Sequence, residues 1–129
     1  MKISEAAKSV GLPTKTVRYY ADIGLVAPIS RTEAGYREYD AETVRKLCFV
    51  KRARKFGFSV NDCRDLLGLY EDSGRSSGDV RAIAKDRLKD IQAKQHELQL
   101  LHDELSLLVK ACKGGNRPDC PILNELAAD

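Results

Sequence analysis

The stretch SSGDVRAIAKDRLKDIQAKQHELQLLHDELSLLVKACKGGNRPDC, residues 76–120, decides the fold. Alternating steps of four and three from Val80 reach Ala84, Arg87, Ile91, Lys94, Leu98, Leu101, Leu105, Leu108 and Cys112, and eight of these ten positions are apolar. That is the 3.5-residue period of a two-stranded coiled coil, whose seam faces another helix. No proline interrupts the run, and glycine is absent between Gly78 and Gly114. A helix from about Ser77 to Ala111 would be roughly 50 Å long at 1.5 Å per residue. So long a stripe needs a partner of similar length, and the chain has no second one. A second copy of the chain is the economical partner; folding back on its own domain is the other reading. Arg87 and Lys94 weaken the first half of the seam, though their aliphatic stems still pack.

The remaining 75 residues before this stretch are too few for a thick core of their own, so dimerisation is expected to support them. Residues 1–57 hold twelve Lys and Arg against six Asp and Glu, whereas residues 58–129 hold ten against thirteen. The basic half therefore suits a polyanion and the helical half does not. There is no apolar run near 18 residues and no signal-peptide pattern, which implies a cytoplasmic chain without a membrane partner. In such a compartment the four cysteines serve as core, metal or redox groups rather than structural disulfides.

The first half reads as a sequence of short elements. Ile3 to Leu12 forms a helix with Ser4 as its cap and Gly11 as its stop, and Thr14 caps a second helix from Lys15 to Ile23. On that second helix Val17, Tyr20 and Ala21 share one face and Lys15, Arg18 and Tyr19 the other. Two short helices around a Gly-containing turn make a helix-turn-helix, whose second helix fits the DNA major groove. Arg18 has the fork for a guanine edge, and Lys15 reaches a base or a phosphate. Ile29 to Tyr39 reads as a hairpin turning at Glu33-Ala34-Gly35. Its Arg31, Tyr36 and Arg37 form a wing suited to backbone phosphates, with Tyr39 packing on the core. Asp40 caps a helix to about Phe56, and Ser59 caps another to about Tyr70, with Val60, Cys63, Leu66, Leu67 and Tyr70 inward. Cys48 and Cys63 are expected core thiols.

Cys112 ends the long helix, and Cys120 follows after a Gly- and Pro-containing loop. Cys120-Pro121 opens a last short helix, with proline at its favoured first-turn position. A sulfur at a helix N-terminus is favoured as thiolate, hence as a metal ligand. Two thiolates with no nearby His or carboxylate suit a soft monovalent ion such as Cu(I), whereas zinc wants four ligands. A reversible disulfide between Cys112 and Cys120 is the competing reading. His96 and His102 lie on the long helix as solvated residues. A thiol enzyme lacks support: there is no Cys-x-x-Cys pair and no general base near either loop cysteine.

Ile3-Ser4-Glu5-Ala6-Ala7, Val17-Arg18-Tyr19-Tyr20, Gly24-Leu25, Gly35-Tyr36-Arg37 and Phe56-Gly57-Phe58-Ser59 together resemble the signatures of the MerR family of transcription regulators. The resemblance implies a mainly α chain: a winged helix-turn-helix domain over residues 1–70, a hinge at 71–78, an antiparallel coiled-coil dimerisation helix at 79–111, and a metal-binding loop with a short helix at 112–129. It implies a homodimer on an inverted repeat within an overlong promoter spacer, which the regulator distorts so that RNA polymerase engages both promoter elements. It assigns DNA contact to Lys15, Arg18 and Tyr19, to Arg31, Tyr36 and Arg37 on the wing, and to Arg54 at a phosphate. The Cys-x7-Cys spacing with Pro118-Asp119-Cys120-Pro121-Ile122 resembles the copper-efflux branch, which senses Cu(I), Ag(I) and Au(I). Ser77, which that arrangement brings beside the partner's cysteines, stands where mercury- and zinc-sensing branches carry a further cysteine. Without it, two thiolates around Cu(I) leave one net negative charge, which a divalent ion would remove. Lys113, Gly115 and Asn116 make this loop less acidic than in close relatives.

Overall fold

The computed structural model describes residues 1–129. The chain divides into two units, Met1–Arg87 and Leu88–Asp129. The first holds α1 (Ile3–Val10), α2 (Thr14–Asp22), a hairpin of β1 (Ser30–Arg31) and β2 (Arg37–Glu38), α3 (Ala41–Lys55) and α4 (Val60–Glu71). The long helix α5 (Ser77–Ala111) starts in the first unit, and α6 (Pro121–Ala127) ends the second.

The core of the first unit is small and joins α1 to α4. Ala6, Ala7 and Val10 of α1, Val17 and Tyr20 of α2, Leu47 and Val50 of α3, and Cys63 and Leu67 of α4 meet there, with Leu25, Val26 and Tyr39 from the connections. Cys63 is fully buried, as its apolar surroundings require, while Cys48 packs half-buried against the same cluster. Tyr70, expected inward, is instead 63 % exposed. Its ring stacks beside Phe49 at 5.2 Å and lies under the Arg75 guanidinium, so a surface cation holds it outside the core.

Two expected caps are displaced. Lys2, not Ser4, precedes α1, because Lys2 pairs with Glu38 in extended conformation and its carbonyl accepts from Ala6 N–H. Pro13, not Thr14, precedes α2: with ψ at 142° it is the last extended residue, and its carbonyl accepts from Thr16 and Val17. Asp40 and Ser59 do cap α3 and α4, Ser59 in a reciprocal box with Asp62. The irregular joint is shorter than the expected hinge, running over 72–76, because Glu71 still belongs to α4 and Ser77 already to α5.

Helix C-termini leave carbonyls without partners, and three long cations meet that need. Lys51 of α3 donates to Val10 O at 2.7 Å, Arg64 of α4 donates to Ile23 O and Gly24 O at 2.9 and 3.2 Å, and Arg87 of α5 donates to Phe56 O at 2.8 Å. Gly57, after α3, has φ at +84°, and a Cβ there would fall on the Arg87 guanidinium.

The helix α5 has no buried residue over its 35 positions. Leu98, Leu101 and Leu105 of the seam are each more than half exposed, and so are Leu100 and Leu107, which lie outside it. No helix is long and apolar enough to cross a membrane.

Candidate nucleic-acid interface and metal centre

The first site is built on α2 and the hairpin. Burial of Val17 and Tyr20 fixes the rotation of α2, which leaves Lys15, Arg18 and Tyr19 exposed on its opposite face. The hairpin pairs Ser30 with Glu38 and Arg31 with Arg37. It turns through Thr32–Tyr36, where Gly35 N–H donates to Thr32 O and Thr32 Oγ1 accepts from Tyr36 N–H. Tyr36 stands 66 % exposed at this turn.

Not every basic residue of the half is free for a polyanion. Lys15 and Arg18 have no partner in the chain, but Arg31 donates to Gly35 O at 3.1 Å across its own turn. Arg54 donates to Phe58 O at 2.7 Å, and Arg37 to Asp22 Oδ1 at 2.5 Å. Residue charge alone could not reveal these bonds, which depend on where the fold brings each carbonyl or carboxylate. Tyr39 is buried with an unpartnered hydroxyl. Burial raises its phenol pKa, and Arg37, Arg18 and Arg31 oppose that rise.

The second site lies in the other unit. Cys112 follows α5 directly, its N–H donating to Leu108 O, and Gly114 and Gly115, both at positive φ, turn the loop back. Cys120 precedes α6, and its thiol pKa is lowered, first by the backbone N–H of Leu123, then by that of Ile122 and by the Cys112 thiol. The Cys112 thiol is thus among the groups that act on Cys120 at the start of α6. No group of three or more His, Cys, Asp and Glu side chains gathers anywhere in the chain. His96 and His102 are exposed on α5, the latter beside Asp103 at 3.2 Å. This donor set fits a soft ion that accepts two thiolates; a four-ligand zinc site would need groups from outside the chain.

The contrast between thiols is measurable. Cys120 is expected to react with iodoacetamide at lower pH than Cys63, whose thiol burial pushes up. Peptide mass mapping across a pH series reads both; a Cys63 profile at or below that of Cys120 would contradict the assignment. Ser77 opens the first turn of α5, exposed, within the first unit.

Two family models match: "MerR HTH family regulatory protein" over residues 1–69 and "MerR, DNA binding" over residues 44–108. The chain is 54% identical over 127 residues to the HTH-type transcriptional regulator HmrR of Rhizobium leguminosarum bv. viciae, covering 98% of each. It is 43% identical to the Heavy metal-dependent transcription regulator 2 of Rhizobium meliloti, over 98% of this chain and 86% of that protein. The solved transcription regulator PbrR691 from Ralstonia metallidurans, in complex with Lead(II), superposes with a TM-score of 0.83 at 31% identity, covering 98% of this chain and 99% of its own. The chain belongs to the MerR family and is a transcription regulator, not an enzyme.

Proposed function

We propose that this chain is a metal-responsive regulator that binds an inverted-repeat promoter as a homodimer. On binding Cu(I), or Ag(I) or Au(I) in its place, the dimer distorts an overlong spacer and lets RNA polymerase activate copper-efflux genes. The observation that carries the reading is the lowered pKa of the Cys120 thiol, to which two backbone amides and the Cys112 thiol contribute, with no group of three or more ligands in the chain. A heavy-metal-dependent relative at 43% identity supports a metal effector.

The residues divide the work. Lys15, Arg18 and Tyr19 face the groove, and Arg31 and Tyr36 face the flanking backbone; Arg37 and Arg54 stand beside them with partners in their own chain. The uncovered leucines of α5 meet the same stripe of a second copy. A bound soft ion supplies a link between the two sulfurs. Cys112 passes that constraint to the end of α5 and Cys120 to the start of α6. Ser77 of the partner, in place of a third sulfur, keeps the donor set at two.

Titration of the reduced protein with Cu(I), Zn(II) and Pb(II) against a competing chelator, with X-ray absorption on the product, tests the effector. Two short Cu–S bonds and weak divalent binding are expected. Tight Pb(II) binding would favour a divalent sensor, a reading supported by the lead-bound relative. Arg18→Ala is expected to weaken operator binding roughly 10- to 100-fold while metal affinity stays unchanged. Unchanged operator affinity in that variant would remove Arg18 from the interface.

A further inference from the structure

The wing is a hairpin of two two-residue strands, a size that is marginal without outside support. Its base is anchored: the N-terminal ammonium donates to Tyr39 O, Ile29 N–H donates to Glu38 O, and the Tyr39 ring is buried just beyond β2. Its flank has one side-chain bond to the recognition helix α2, the ion pair from Arg37 to Asp22. The Arg37 side chain is 18% exposed, against 54% for Asp22. Arg37 is therefore the more sheltered partner, unlike the exposed Arg18 and Arg31.

Asp22 is electrostatically out of place on two counts. It is the last residue of α2, where the helix dipole disfavours an acid. It also acts on Tyr39 against Arg37, Arg18 and Arg31, on the side of the fold read as meeting a polyanion. A residue that opposes both fields has another use, and its charge-assisted bond to Arg37 is the use the structure shows.

We propose that Asp22 is a positioning residue for DNA binding. Its pair with Arg37 fixes the spacing between the wing and the recognition helix, so that Arg31 and Tyr36 meet the phosphates in register with Arg18. Arg37 acts through this pair and makes no phosphate contact of its own. The proposal rests on the reading of α2 and the wing as the DNA interface.

The signs of the two alternatives differ. If Asp22 were merely a surface acid, Asp22→Asn would remove a repulsive charge and tighten DNA binding. As a positioning residue, its loss weakens binding about 3- to 10-fold, the effect of a pair worth about 1 kcal/mol. The probe is the duplex that the wild-type protein selects from a random-sequence pool, with affinity read by fluorescence anisotropy across a salt series. Asp22→Asn is expected to weaken binding with an unchanged salt slope, and Asp22→Glu to restore most of it. Arg37→Gln is expected to match Asp22→Asn. A tighter or unchanged Asp22→Asn complex overturns the proposal. So does a fall of about one in the salt slope for Arg37→Gln, the mark of a lost phosphate contact. Amide hydrogen exchange on the DNA-free protein tests it separately from DNA binding: Thr32, Gly35 and Tyr36 are expected to exchange faster in Asp22→Asn. Unchanged exchange there overturns the proposal even if no duplex is selected, a result that by itself would instead overturn the DNA-binding reading.

Discussion

Cys120→Ser is expected to abolish metal-induced transcription while leaving promoter affinity within about twofold of wild type. In the proposed site Cys120 supplies one of two sulfurs, and no group of three or more His, Cys, Asp and Glu side chains gathers elsewhere to replace it. A serine hydroxyl is a hard, protonated donor that a soft ion accepts poorly. Loss of a supporting residue beside a metal typically costs 10- to 100-fold in affinity, so removal of a ligand itself should exceed about a hundredfold. Cys112→Ser should behave alike. DNA binding survives because Lys15, Arg18 and the wing belong to the other unit, Met1–Arg87. Metal competition and gel-shift assays on the same preparation separate the two outcomes. Failure of DNA binding in both serine variants would make the loop structural. Normal metal response in either would move the site elsewhere. A response to peroxide but not to metal in the wild type would identify the pair as a redox switch, which the Cys-x7-Cys spacing also permits.

Gly57→Ala is expected to destabilise the first unit by about 2–3 kcal/mol. Two costs combine. A left-handed φ of +84° is unfavourable for any residue with a Cβ. The new methyl also takes the space of the Arg87 guanidinium and breaks its bond to Phe56 O. A double-mutant cycle distinguishes them: Arg87→Ala made in the Gly57→Ala background should cost less than in wild type, because the collision has already displaced the arginine. Chemical denaturation measures all four proteins. Strict additivity would show that only the backbone angle matters.

Which features could be read in the sequence follows from the range of the interactions involved. The α5 helix was legible because its signal repeats every three or four residues without a breaker, and Asp40 and Ser59 were legible as caps because their bonds span three residues. Ser4 and Thr14 misled because each lies one or two residues past a neighbour whose carbonyl already starts the helix. Asp22–Arg37 and Arg87–Phe56 pair residues 15 and 31 positions apart, and no local pattern announces them. Tyr70 fell on the inward period of α4, yet Arg75, beyond the end of that helix, gives its ring a partner outside the core. A 3.5-residue count follows a single stripe, so Leu100 and Leu107 escaped it. At the proposed metal site, spacing points to two sulfurs but not to one ion, since Cu(I), Ag(I) and Au(I) accept the same pair.

The three cations that close helix ends also set an order in time. Lys51 of α3 closes α1, Arg64 of α4 closes α2, and Arg87 of α5 closes α3. In each case the donor arrives two helices after the end it serves. During synthesis, each of these bonds can form only after the second helix behind the end it serves has been made. The bond at the end of α2 therefore waits for Arg64, and the bond at the end of α3 for Arg87. A chain that stops at Glu71 contains α1 to α4 and the hairpin and still lacks the last of these bonds.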